Sequence, residues 1–194
     1  MEIENLAGNG KDFTGNIWHL EASDETVLVD VGTGDSWNSI KGLEEVDNVI
    51  ITHSHYDHVD NLEKVVELFD PEVYAYEPEN LKVEASKLSE GDSVKLCGES
   101  FKVFHTPGHK DDSICLYSSD SGIVFTGDLI FPDGGFGRTD LDEGDRDKLI
   151  ESIMKINKLD VKAFYSGHGE AVEENADRSI KASLQAAKQR TPKY

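Results

Sequence analysis

Residues 52–58 read Thr-His-Ser-His-Tyr-Asp-His and hold three of the seven histidines in the chain. They follow residues 46–52, a β-branched run that predicts a buried strand. On a strand end, His53 and His55 point to the same side, because side chains repeat every second residue. The turn that follows lets Asp57 and His58 reach a neighbouring point. Since imidazole and carboxylate groups suit zinc, iron or manganese, this stretch predicts a metal site rather than a solvated loop.

Three further polar residues stand beside glycine at the end of apolar stretches, namely His109, Asp128 and His168. Glycine lets the backbone approach an ion closely, and loops at one edge of a sheet commonly carry the functional groups of a protein. Each residue alone would fit an ordinary turn. Together with the histidine-rich stretch they give seven candidate ligands, which suits two adjacent metal ions.

Short apolar runs predict strands over residues 16–20, 26–31, 46–52, 73–76, 93–96, 101–105, 113–117, 122–126 and 161–165. Helical spacing predicts helices over residues 60–69, 145–157 and 173–190, and Asp145 is the expected N-cap of the second helix. Strands interspersed with helices indicate two sheets covered by helices, an α/β (α+β) layered fold. A chain of 194 residues fits a single domain over residues 1–194.

The formal charge of -20 disfavours nucleic acid as a partner, because the protein repels phosphate at long range. No stretch of 18 apolar residues predicts a membrane-spanning helix, and the acidic start lacks the apolar segment of a secretory signal. The two cysteines, Cys97 and Cys115, are too few for a disulfide framework. We therefore expect buried thiols and a cytoplasmic protein. No feature of the sequence bears on the oligomeric state.

Four motifs occur in a fixed order: the stretch at 52–58, Pro-Gly-His at 107–109, Thr-Gly-Asp at 126–128 and Ser-Gly-His-Gly at 166–169. Over about residues 15–170 they resemble the metallo-β-lactamase superfamily. The resemblance implies a four-layer αββα sandwich with metal ions between the edges of two sheets. His-Thr-Pro-Gly-His at 105–109 and Gly-Arg-Thr-Asp at 137–140 resemble short glyoxalase II-like hydrolases, that is, hydroxyacylglutathione hydrolases. Persulfide (sulfur) dioxygenases carry similar stretches.

This resemblance implies a role for each candidate ligand. The first metal is assigned to His53, His55 and His109, the second to Asp57, His58 and His168, and Asp128 bridges them. The implied cofactors are two divalent ions, zinc first, with iron or manganese as alternatives. The implied reaction is attack on a thioester carbonyl by a hydroxide between the ions, with Asp57 and Asp128 as catalytic carboxylates.

Two further residues match positions of the family near the metal ions. Arg138 is expected to bind a substrate carboxylate, or else to pair with Asp140 or Asp145. Asp30 is expected to orient a ligand or a loop, or else to cap a turn. The remaining histidines, His19 and His105, are expected to pack within their strands.

The leading hypothesis is a metal-dependent hydrolase of a small-molecule thiol ester. The alternative is a mononuclear iron persulfide dioxygenase with a triad such as His53, His109 and Asp128. A phosphodiesterase or nuclease fits the charge less well.

Three departures from the family pattern bear on the substrate: Asp60-Asn61, Lys110-Asp111-Asp112 and the loop at 132–136. The short acidic segment after His168 favours a thiol carrier other than glutathione, or a smaller ester.

Overall fold

The computed structural model describes residues 1–7 and 14–189. The first sheet has six strands, in the order β1 (Glu2–Asn5), β2 (Trp18–Ala22), β3 (Glu25–Val29), β4 (Asn48–Ile50), β5 (Glu72–Ala75) and β6 (Ser86–Lys87). The first three strands are antiparallel and the last four run parallel to one another. Helices α1 (Trp37–Ile40), α2 (Tyr56–Val59) and α3 (Leu62–Phe69) lie in the connections between parallel strands.

The second sheet has five strands: β7 (Ser93–Leu96), β8 (Glu99–His105), β9 (Ile114–Ser118), β10 (Ile123–Gly127) and β13 (Ala163–Ser166). Its strands are antiparallel except for β13, which runs parallel to β10 at the edge. A small hairpin of β11 (Ile130–Phe131) and β12 (Gly135–Phe136) follows β10. Helices α4 (Arg146–Ile156) and α5 (Ala176–Gln189) come before and after β13.

Three buried clusters define four layers. Inward-facing residues of both sheets, such as Val27 and Val29 of β3 and Phe101 and Val103 of β8, form the central cluster. The opposite face of the first sheet packs on α1 and α3, and that of the second sheet packs on α4 and α5. Side chains alternate between the two faces of a strand, so each sheet contributes one face to the central cluster and the other face to a cluster with helices. The predicted αββα sandwich is thereby confirmed.

The site lies where several strands end at a common edge of the two sheets. The histidine-rich stretch follows β4, the loop with His109 follows β8, and Asp128 and His168 follow β10 and β13. Two backbone bonds hold these ends together, from Ile114 N to Thr52 O (2.9 Å) and from Gly167 N to Gly127 O (2.8 Å). Loops from both sheets therefore converge on one region.

Several predicted boundaries were wrong. The strand expected at 46–52 is reduced to β4, and the helix expected at 60–69 begins at Leu62 after the separate short helix α2. The helix expected at 173–190 begins at Ala176, and residue 190 lies outside the described residues. No strand was expected at β1, β6, β11 or β12, and no helix at α1. The helix expected at 145–157 is confirmed, since the Asp145 carboxylate accepts bonds from Asp147 N (2.9 Å) and Lys148 N (3.0 Å).

Across residues 1–7 and 14–189, no helix has the length and apolar character needed to cross a membrane. Both cysteines are free and buried, as expected.

Candidate metal centre

All seven predicted ligands lie together at the shared sheet edge. Their donor atoms form three overlapping groups, each with its atoms within 4.8 Å of one another. The groups are His53, His55 and His109; His53, His58 and Asp128; and Asp57, His58 and His168. Because His53 and His58 each belong to two groups, the donors form one continuous site.

Asp128 lies between the two outer groups. Its Oδ2 atom is 3.4 Å from Nε2 of His109 and 3.5 Å from Nε2 of His168, while its Oδ1 atom is 3.4 Å from Nε2 of His58. Within the outer groups, His55 Nδ1 lies 2.8 Å from His109 Nε2. A carboxylate whose oxygen atoms lie near both outer groups can bridge two ions.

The donor set fits resident metal ions. His53 Nε2, His58 Nε2 and Asp128 Oδ1 are buried, and none has a hydrogen-bond partner among the described residues. The 3.4 Å approach of His58 to Asp128 lacks hydrogen-bonding geometry. Buried polar atoms without partners are costly, and three of them converging on one point are accounted for when each donates to a metal.

Asp30 orients His58. Its Oδ2 atom lies 2.7 Å from His58 Nδ1 and accepts a 2.7 Å bond from Thr52 Oγ1, while Oδ1 accepts a 2.8 Å bond from Thr52 N. The contact with Asp30 places the proton of the neutral imidazole on Nδ1, which leaves the Nε2 lone pair facing the site. Asp30 therefore makes the contact expected of an orienting residue.

Arg138 contributes to the site through its backbone. Its carbonyl oxygen lies 2.9 Å from His109 Nδ1, which directs His109 Nε2 toward the other ligands. The Arg138 guanidinium is 67% exposed and makes two bonds to Asp140, at 2.9 and 3.0 Å. Of the two pairings considered from the sequence, the one with Asp140 is present, while Asp145 caps α4.

The histidines of the site differ in their affinity for a proton. Burial acts to lower the pKa of His58, but the Asp30 and Asp128 carboxylates hold that pKa well above its usual value. Burial, followed by repulsion from His58, keeps the pKa of His53 well below its usual value. Burial acts to raise the pKa of Asp128, but His58 and His168 outweigh it and hold that pKa well below its usual range. Burial acts to lower the pKa of His168, but hydrogen bonds to Asp128 and Asp57 raise it to about 9. Metal binding at His168 therefore competes with a proton.

Three glycines enclose the site: Gly167, which was expected to allow a close approach beside His168, together with Gly15 and Gly137, for which no such role was expected. A Cβ atom at Gly15 would lie 2.8 Å from His58 Cε1, and one at Gly167 would lie equally close to it and would overlap Asp128 Oδ1. A Cβ atom at Gly137 would overlap the backbone oxygen of Asp128. Only glycine fits at these three positions, because backbone there packs directly on the ligands.

Residues 15–18, which lead into β2, hold the loop of Asp57 and the loop of His168 together. Gly15 N donates to Asp57 O (2.9 Å), and the Asn16 side chain donates to Ser166 O (2.9 Å) and Gly169 O (2.7 Å). Trp18 Nε1 also donates to Ser166 O, at 2.9 Å. This segment thus fixes the loop of Asp57 against the loop of His168.

The unusual Asp60-Asn61 pair faces away from the ligands. Asp60 Oδ2 accepts a 2.9 Å bond from Thr33 Oγ1, and the buried Asn61 amide donates to Val31 O (3.2 Å). The pair therefore supports the loop after β3.

His105 stacks on Tyr76 with ring centroids 4.0 Å apart, and the buried His19 contacts Glu4, so both pack structurally as expected.

The fold and the site define the class of protein. The chain belongs to the metallo-β-lactamase superfamily, whose family profile (Metallo-beta-lactamase superfamily) matches residues 10–168. Curated relatives match most of the chain as well.

Those relatives are hydroxyacylglutathione hydrolases, so the predicted likeness to glyoxalase II is confirmed. The protein from Hydrogenovibrio crunogenus (strain DSM 25203 / XCL-2) is 31% identical over 174 residues, covering 87% of this chain and 63% of the relative. The protein from Idiomarina loihiensis (strain ATCC BAA-735 / DSM 15497 / L2-TR) is 31% identical over 147 residues, covering 74% and 56%. The chain thus spans about 60% of the length of these relatives.

Among solved structures, TTHA1623 in a di-iron-bound form superposes with a TM-score of 0.74 at 25% identity. The superposition covers 96% of this chain and 97% of that one. A protein of similar length and fold therefore carries two iron ions.

Proposed function

We propose that this chain, as one domain over residues 1–194, is a binuclear metal-dependent hydrolase that cleaves a small-molecule thioester. The observation that carries the proposal is the convergence of seven donor side chains, three of which present buried donor atoms without a hydrogen-bond partner. Structural metal sites are closed and usually four-coordinate, so a seven-donor site with two outer groups suits catalysis better.

The metal assignment follows the three groups. One ion would be held by His53, His55 and His109 and the other by Asp57, His58 and His168, with Asp128 shared. When bound, the metals would supply a water of lowered pKa and polarise the substrate carbonyl. We propose zinc as the resident metal, with iron as the alternative that the di-iron relative supports.

The residues of the chain would position the water and the substrate. The Asp57 side chain is 14% exposed and lies at the solvent side of the deeper Asp128, so these two carboxylates would orient the attacking water from both sides. A thiolate leaves without protonation, so the chemistry needs no separate general acid. Buried free thiols at Cys97 and Cys115 support a reducing, cytoplasmic setting.

Arg138 is the proposed substrate-binding residue. Its guanidinium is exposed and lies on the loop whose backbone contacts His109, so it can bind a carboxylate of the thiol carrier in place of Asp140. Arg138→Ala should raise KM for a carrier that bears carboxylates and leave KM for a small neutral thioester unchanged. Equal KM changes for both substrates would rule out this role.

The test is hydrolysis of S-D-lactoylglutathione and of thioesters of smaller thiols by metal-stripped protein reloaded with zinc, iron or manganese. We expect turnover that depends on added metal and is abolished in His109→Gln. His105→Gln is the matched control, because His105 lies on the same strand-loop unit but stacks on Tyr76. The control should keep wild-type activity.

Absence of metal-dependent turnover for every thioester would refute the proposal. If the protein consumes oxygen with a persulfide substrate and hydrolyses no thioester, the dioxygenase alternative replaces the hydrolase proposal. The two reactions are distinguishable because hydrolysis consumes no oxygen.

A further inference from the structure

Asp112 carries a buried carboxylate that neither the ligand set nor the proposed chemistry uses. The residue is 3% exposed and lies in the loop between β8 and β9, three positions after His109. Its carboxylate accepts bonds from Ser54 N (3.2 Å), Ser54 Oγ (2.5 Å) and Asn80 Nδ2 (3.1 Å). These three bonds all go to Oδ2, while Oδ1 lies 3.4 Å from Ser54 N and makes an ion-pair contact with Lys110 Nζ at 3.9 Å.

Ser54 lies between two ligands of the first group. The loop of residues 53–55 belongs to the first sheet, and the loop that carries His109 belongs to the second. The first group of donors is therefore assembled across the two sheets, with His55 Nδ1 and His109 Nε2 only 2.8 Å apart. A small shift between the two loops would separate them.

We propose that Asp112 is a positioning residue that locks the loop of residues 53–55 against the loop of His109. The backbone bond from Ile114 to Thr52 fixes the base of the two loops, and Asp112 fixes them further out, at Ser54 itself. Asn80 extends the same network to the connection between β5 and β6. This role rests on the proposed metal centre.

The carboxylate is required because all its partners are donors. An asparagine at position 112 can place its oxygen where Oδ2 lies, but its NH₂ group then takes the place of Oδ1. There it faces Ser54 N–H at 3.4 Å and the Lys110 ammonium at 3.9 Å, donor against donor. The Ser54 hydroxyl can rotate to accept, but a backbone N–H cannot. Asp112→Asn therefore loosens the loop at nearly constant side-chain volume.

The experiment is a zinc titration of the metal-stripped full chain in competition with a chelator, with cobalt(II) absorption spectra recorded on the same variants. In Asp112→Asn we expect one of the two binding steps to weaken by about 10- to 100-fold, as for other residues that hold metal ligands in place. The visible cobalt bands should also change, since they report ligand geometry. Asp111→Asn is the matched control, because its exposed carboxylate pairs with Lys148 outside the site.

Ser54→Ala removes one donor and keeps the carboxylate. It should weaken the same step by a smaller factor, and the double variant should show less than the sum of the two effects, because both substitutions remove one shared interaction. If Asp112→Asn does not fold, Ser54→Ala carries the test alone, and wild-type zinc affinity and cobalt bands in that variant would overturn the proposal.

The outcomes separate this inference from the proposed function. If the wild-type protein binds fewer than two ions, the proposed metal centre is wrong. If the wild-type protein binds two ions and the Asp112→Asn variant has equal affinity and identical cobalt bands, only the positioning role of Asp112 is wrong.

Discussion

Asp30→Asn should impair metal binding while preserving the fold. Asp30 is 1% exposed and its φ of 62° lies in the left-handed region, which asparagine tolerates better than most residues. The substitution therefore costs little in backbone energy or volume. What changes is the hydrogen bonding, since the carboxylate accepts from Thr52 N, Thr52 Oγ1 and His58 Nδ1.

An asparagine amide cannot accept from both sides. If its oxygen keeps the bond from Thr52 N, its NH₂ group faces His58 Nδ1. In the zinc-bound protein His58 Nε2 carries no proton, so the one proton of the imidazole lies on Nδ1 and faces that NH₂ group. The two opposed donors cost about 1–3 kcal/mol. Because a tenfold change in affinity is about 1.4 kcal/mol, zinc should bind roughly 10- to 100-fold more weakly.

The assay is zinc competition with a chromophoric chelator, with the protonation of both His58 nitrogens read from ¹⁵N chemical shifts of the metal-stripped and zinc-loaded protein. Asp92→Asn is the control, because Asp92 accepts a 2.8 Å bond from Ser89 N in an exposed turn and contacts no ligand. Wild-type zinc affinity in Asp30→Asn would show that Asp30 does not position His58 for the metal.

Three further substitutions or treatments test the structure. Gly167→Ala should abolish tight metal binding, because its Cβ would overlap a ligand carboxylate, whereas Gly42→Ala, with its nearest neighbour atom at 3.5 Å, should bind metal normally. Cys97 and Cys115 should resist a disulfide reagent at pH 8 and react once guanidinium unfolds the chain, because burial raises their pKa values to about 11 and about 12. Asp145→Ala should lower the free energy of unfolding in urea by about 1 kcal/mol through loss of the α4 N-cap; no loss would show that the cap is dispensable.

The convergence of the seven candidate ligands was predictable because they are marked locally in the sequence. His53, His55, Asp57 and His58 lie within one short stretch, and the other three ligands each stand beside glycine after an apolar run. Residue type, spacing and strand ends are all visible without coordinates. The layered fold was predictable for the same reason, since its strands are short apolar runs with regular alternation.

What holds the ligands was not predictable, because those contacts join distant parts of the chain. Asp112 and Ser54 are 58 positions apart, and Asn16 reaches Ser166 across 150 positions. Nothing local marks Gly15 as a residue that packs on His58. The hydrogen bonds that Asp60 and Asp112 accept from neighbouring loops are of the same kind, and the bearing of these two positions on the substrate stays a prediction. Helix α2 was missed because a turn was expected at residues 56–59.

Anomalous X-ray diffraction from crystals of the zinc-loaded protein would locate the metal ions. We expect two peaks, one among His53, His55 and His109 and one among Asp57, His58 and His168, with Asp128 between them. A single peak, or peaks outside these donors, would rule out the binuclear centre.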